Sequence, residues 1–89
     1  MEYSLLATKR FRKQLGDLDT ETKNKVKEAL AGLQEDPYNS RTHIDIKQLK
    51  NMFPKKFRLR VGNYRIFYHV DENNIKLLKI ADRKTAYKR

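Results

Sequence analysis

Apolar and polar residues alternate through Phe57-Arg58-Leu59-Arg60-Val61, and the alternation resumes through Tyr64-Arg65-Ile66-Phe67-Tyr68. That two-residue period is the mark of strands with one buried face. Between the runs stands Gly62-Asn63, a two-residue turn of the kind with glycine first. Folding the chain there fixes the partners: Val61 faces Tyr64, Arg60 faces Arg65, Leu59 faces Ile66, Arg58 faces Phe67, and Phe57 faces Tyr68. One face of this hairpin is apolar and aromatic, with Tyr64 and Tyr68 read as core. The other carries Arg58, Arg60 and Arg65, with Phe67 and His69 alongside. Directly opposed arginines repel each other. Such a local conflict points to a task for that face, because conflicts of this kind gather at functional sites.

The remaining pattern supplies a partner for the apolar face. Residues 2–7 read as a short strand, with Tyr3, Leu5 and Ala7 on one side and Leu6 on the other. Thr8 is placed to cap a short helix over 9–15. Phe11 and Leu15 share one side of that helix, and Gly16 offers a stop. Its cations Lys9, Arg10, Arg12 and Lys13 read as a solvated surface. Asp17-Leu18-Asp19 then caps a second helix over 20–35, in which Val26, Ala29, Leu30 and Leu33 follow the helical template. Asp36-Pro37 ends it. Residues 37–51 have no clear period; Ile44, Ile46 and Leu49 anchor a loop or a short strand, and His43 reads as an exposed or capping histidine. Residues 51–56 read as a connection. Asp71-Glu72-Asn73-Asn74 is a second turn, followed by a strand over 75–81. There Ile75 and Leu77 fall on one face and Leu78 and Ile80 on the other; a one-residue bulge would exchange the faces, and the register of this strand stays ambiguous. The expected fold is α+β: an N-terminal strand and a helical hairpin packed on one face of a small antiparallel β-sheet, in a single domain over 1–89.

Charge sharpens this picture. The formal net charge is +10; residues 1–44 contribute +1 (8 Lys/Arg, 7 Asp/Glu) and residues 45–89 contribute +9 (13 Lys/Arg, 4 Asp/Glu). A basic excess confined to the half with the hairpin points to a polyanion, most simply nucleic acid. There is no cysteine, hence no disulfide framework and no thiolate zinc site, and two histidines are too few for a common metal cluster. No metal or cofactor is expected. No apolar run approaches a membrane span and no signal-peptide pattern opens the chain, so the expectation is a soluble, cytoplasmic protein.

Glycine-rich phosphate loops and cysteine nucleophiles are also absent. What remains is guanidinium groups and rings: Arg58, Arg60, Arg65 and Arg83 with Tyr64, Phe67, Tyr68 and Tyr87. Arginine presents a planar fork of donors suited to phosphate oxygens. Aromatic rings stack on unpaired bases, so the set suits single-stranded RNA. The segment IKQLKN, the hairpin FRLRVGNYRIFYHV and the ending IADRKTAY resemble the RelE/ParE superfamily of toxin–antitoxin toxins, on the RelE side. The string RVGNYRIFY, and an arginine followed four residues on by a tyrosine, are the specific parts of that resemblance.

The resemblance implies a cytoplasmic endoribonuclease that cuts messenger RNA in the ribosomal A site, inhibits translation and is silenced by a cognate antitoxin. Its partners would be an acidic antitoxin, RelB-like or of another kind, together with the ribosome and mRNA, and no membrane. It implies catalytic roles for Arg65, Arg83 and Tyr87, and phosphate or RNA binding by Arg58, Arg60, Lys55, Lys56 and Lys84. Three departures stand out. Lysines of the best-known pattern are Arg58 and Arg60 here, and arginine cannot serve as a general base. Asp82 replaces a histidine often found before the tail arginine, and the chain stops two residues after Tyr87. Tyr87, Asp82 and His69 remain as candidate bases. The alternatives are a ParE-like inhibitor of DNA gyrase, which is not an enzyme, and a catalytically inactive basic RNA-binding module.

Overall fold

Phe57, Leu59, Ile66, Tyr68, Ile75 and Leu77 are each at most 4 % exposed, and they form the sheet side of one core. The computed structural model that shows this describes residues 2–50 and 55–82. In chain order the elements are β1 (Ser4–Ala7), α1 (Lys9–Gly16), α2 (Thr20–Glu35), β2 (Asp45–Gln48), β3 (Lys56–Val61), β4 (Tyr64–Asp71) and β5 (Asn74–Asp82). Phe11 of α1 and Val26, Leu30 and Leu33 of α2 close the core from one side. The helical stripe read from the sequence is therefore the buried one. No described helix is long and apolar enough to cross a membrane.

The strands lie in the order β1-β5-β4-β3-β2. The β3–β4 hairpin has the register expected from its alternation, pair for pair, and Gly62 takes the left-handed φ of 59° that the first turn position requires. The ambiguous last strand resolves through a bulge: Phe67 pairs with Lys79 but Tyr68 pairs with Leu77, so Leu78 has no opposite number. That extra residue changes the phase, and Ile75, Leu77 and Ile80 all reach the core. Two features depart from a simple antiparallel meander. The N-terminal strand β1 pairs in parallel with β5. The unassigned stretch contributes a short edge strand, β2, which buries Ile46 against Leu59. The outer edge of β2 is closed by Ser40, whose hydroxyl accepts from the Ile46 N–H and donates to the Ile46 carbonyl, both at 2.7 Å.

Thr8 does two things. Its Oγ1 accepts from the Phe11 N–H at 3.0 Å, capping α1, and donates to the Leu78 carbonyl at 2.9 Å, tying the helix to the bulge. Gly16 differs from the expected left-handed stop. It lies inside α1 with Asp17 as a right-handed cap, and a Cβ there would meet nothing within 4 Å. Gly16→Ala should therefore stabilise the protein by about 0.5–1 kcal/mol, through helix propensity and a less flexible unfolded chain. A thermal melt checks this, with a rise of roughly 2–8 °C expected for a domain this small.

Candidate nucleic-acid interface

None of the described helices packs on the other sheet face, and the register arranges its side chains in three cross-strand rows. The first runs Asp45, Arg60, Arg65, Ala81; the second Lys47, Arg58, Phe67, Lys79; the third Lys56, His69, Lys76, Leu6. These rows hold seven Lys or Arg against one carboxylate, Asp45. A concentration of one sign on one surface raises the local density of a polyanion and steers its approach.

The opposed arginines are not equivalent. Arg60 is exposed, whereas Arg65 is 9 % exposed and is the one buried charged side chain among the described residues. Burying a guanidinium is costly, and the return is a donor fork whose position is fixed by its surroundings. Asp45 stands beyond Arg60 in the same row, which softens the repulsion read from the hairpin alone. Arg58 and Lys56 are half-buried on the same face, and Lys55 is exposed just before β3. The structure thus brings Arg58, Arg60 and Arg65 together, and sets Lys56 on the same face opposite His69, about 13 Å further along the strands. Arg83, Lys84 and Tyr87 lie outside the described residues.

One of the candidate bases, His69, separates from Arg65. His69 is four residues further along β4, or about 13 Å at 3.3 Å per residue. Its Nδ1 is buried without a hydrogen-bond partner. Asp82 pairs with Tyr64, which by register is the helix-covered side, and lines a cleft there with Gln14 and Tyr64. His43 is exposed at a left-handed turn position, φ 67°, so its place is conformational. Among the described residues no three His, Cys, Asp or Glu side chains gather as metal ligands.

Lys47 and Lys79 are not legible in the sequence as members of this face. Placing Lys47 needs β2 to be a strand, and placing Lys79 needs the bulge at Leu78. The phase conflict between Ile75/Leu77 and Leu78/Ile80 is the available signal for the second. Lys79 Nζ stands over the Phe67 ring, 5.1 Å from its centroid, a cation–π distance.

Among the described residues, then, a helical hairpin lies behind a five-stranded sheet whose other face carries arginines. The fold matches a chain of the archaeal RelE–RelB complex from Pyrococcus horikoshii with a TM-score of 0.81 and 27 % identity, covering 93 % of this chain and 97 % of that one. A RelB–RelE antitoxin–toxin complex from Methanococcus jannaschii matches at 0.76 and 28 %, covering 93 % and 95 %. The toxin–antitoxin complex RelBE2 from Mycobacterium tuberculosis shares the fold at 0.77, with 24 % identity over 93 % of this chain and 100 % of that one. No curated protein sequence matches the chain. Residues 5–87 match the family described as the ParE toxin of the type II toxin–antitoxin system parDE, and the chain belongs to that family.

Proposed function

We propose that this protein is an endoribonuclease toxin that cuts messenger RNA in the ribosomal A site. The observation that carries the reading is the buried Arg65, set opposite Arg60 on a cationic sheet face where none of the described helices packs. Cleavage needs no metal in this scheme. The RNA 2′-hydroxyl attacks the adjacent phosphorus, the bond to the 5′-oxygen breaks, and a cyclic phosphate and a 5′-hydroxyl result. One proton leaves the 2′-oxygen and one reaches the departing 5′-oxygen. Arg65 and Arg83 stabilise the charge that builds on the phosphate. Tyr87 stacks on a base or carries a proton, and with His69 about 13 Å from Arg65 along β4 the base is Tyr87 or Asp82. Arg58 and Arg60 grip the backbone, and Lys55, Lys56 and Lys84 hold its flanks.

A cytoplasmic toxin of this kind needs restraint. Its solved relatives from the two archaea are complexes with RelB, and a net charge of +10 suits an acidic antitoxin segment. In a purified translation system the protein should generate messages truncated within codons, and Arg83→Ala should abolish the truncation with the fold retained. Intact messages at saturating protein overturn the reading.

The family match favours a second reading, a gyrase poison of the ParE kind. Trapped gyrase–DNA cleavage complexes, without any RNA cleavage, would establish it in place of the first.

A further inference from the structure

We propose that the cleft over Phe67 is a subsite for the nucleotide that flanks the cleaved phosphate, whose base stacks against the Phe67 ring. This deepens the RNA-cleavage reading and depends on it for the identity of the strand. The cleft holds about 400 Å³ and is lined by Arg10, Leu49, Lys56, Phe67, Leu78 and Lys79. That volume is within the range of small-ligand sites.

Phe67 is a half-buried ring on a sheet face where cations predominate. It does not belong to the core. It lies two residues from Arg65 on the same strand and face, about 6.6 Å along β4, a span that one nucleotide bridges. Arg58 and Lys79 are its direct cross-strand neighbours. Leu49 and Leu78 line the cleft with the ring, together with Lys56 and Arg10. Rings between cations form a stacking platform within an electrostatic groove, the combination that holds single-stranded nucleic acid. The bulge builds this site, because it sets Leu78 and Lys79 in succession against one cleft. α1 contributes Arg10 from the helix that Thr8 ties to the bulge. An acidic peptide would also be drawn to the lysines, but a ring sharing its cleft with Leu49 and Leu78 suits the flat face of a base, and carboxylates have no use for it.

The test is fluorescence anisotropy with short single-stranded RNAs whose 2′-hydroxyls are methylated, so that they bind uncut. One series carries a single abasic nucleotide, moved along the strand. For the wild type, one abasic position should cost roughly tenfold in affinity. Phe67→Leu should bind the intact RNA with that same loss and become indifferent to the abasic position. Lys79→Met, which leaves the ring in place, should weaken intact and abasic RNAs alike and flatten the salt dependence. Circular dichroism establishes that each variant is folded; should Phe67→Leu not fold, the wild-type abasic series with Lys79→Met decides. A wild type indifferent to every abasic position overturns the subsite, as does a folded Phe67→Leu that keeps full affinity and discrimination. So does a Phe67→Leu that loses affinity for a polyglutamate peptide alone, which would give the cleft to an acidic protein partner. A protein that truncates messages but fails these tests keeps the RNase reading and loses the subsite. One that passes them while messages stay intact keeps the subsite and loses the RNase reading.

Discussion

An Arg65→Gln protein should cleave RNA about a hundred- to a thousandfold more slowly than the wild type, which is the usual loss on removing one preorganised donor to a developing oxyanion. Three observations make Arg65 the residue to change. It is 9 % exposed, so its surroundings set its direction. It stands opposite Arg60 on the adjoining strand, the pair to which the proposed mechanism assigns the phosphate. It also lies two residues along the strand from Phe67, in the adjoining cross-strand row. Glutamine retains most of the volume and one donor, which separates loss of charge from collapse of the face. Arg65→Lys restores the charge without the planar fork. It should recover part of the rate and not all of it, because a lysine cannot make the paired contacts of a guanidinium. Single-turnover cleavage on programmed ribosomes measures both variants, with circular dichroism to establish the fold. An Arg65→Gln protein that cuts at the wild-type rate would remove Arg65 from the mechanism and leave the arginine pair as surface.

The centre of this face is legible in the sequence and its margins are obscure, for physical reasons. The β3–β4 register follows from strict alternation plus a glycine-first turn, both local signals, and these two alone set Arg60 against Arg65. The helices are equally local: Thr8 and Asp19 cap where side-chain oxygens stand before apolar-periodic runs. The parallel pairing of β1 with β5 joins residues about seventy positions apart, and nothing in four residues of strand announces such a partner. β2 is hidden because it buries one residue, Ile46, and is finished by a serine hydroxyl that no periodicity reports. The bulge has a visible symptom, two apolar pairs out of phase, but the position of the slip depends on contacts with α1. Those unread features decide where Lys47 and Lys79 point. The candidate site is therefore broader than the arginines: it includes a second row of cations around Phe67.

Tyr68→Phe should lower stability by about 1–3 kcal/mol, the cost of leaving a buried carbonyl without its donor. Tyr68 is 0 % exposed, and its hydroxyl donates to the Pro37 carbonyl at 2.7 Å. Its ring is stacked on Phe57 at 5.5 Å, Phe57 meets Tyr38 edge-on at 5.6 Å, and Tyr38 meets Tyr3 at 6.3 Å. Phenylalanine keeps all of this ring packing, so the loss isolates one hydrogen bond that ties the core of β4 to the chain leaving α2. Melting should fall by roughly 4–8 °C per kcal/mol lost, while cleavage at low temperature stays at the wild-type rate, because Tyr68 faces away from the cationic rows. The same group predicts a response to alkali. Burial pushes the Tyr68 phenol far above its ordinary value of 10.0. The folded state therefore holds this proton where the unfolded state gives it up. The stabilisation is complete below the ordinary tyrosine range, and it fades as pH rises from there toward the raised folded value. Wild type and Tyr68→Phe should thus differ most at neutral pH and converge above pH 10. Equal melting temperatures at neutral pH would mean that the Tyr68–Pro37 bond contributes nothing net to the fold.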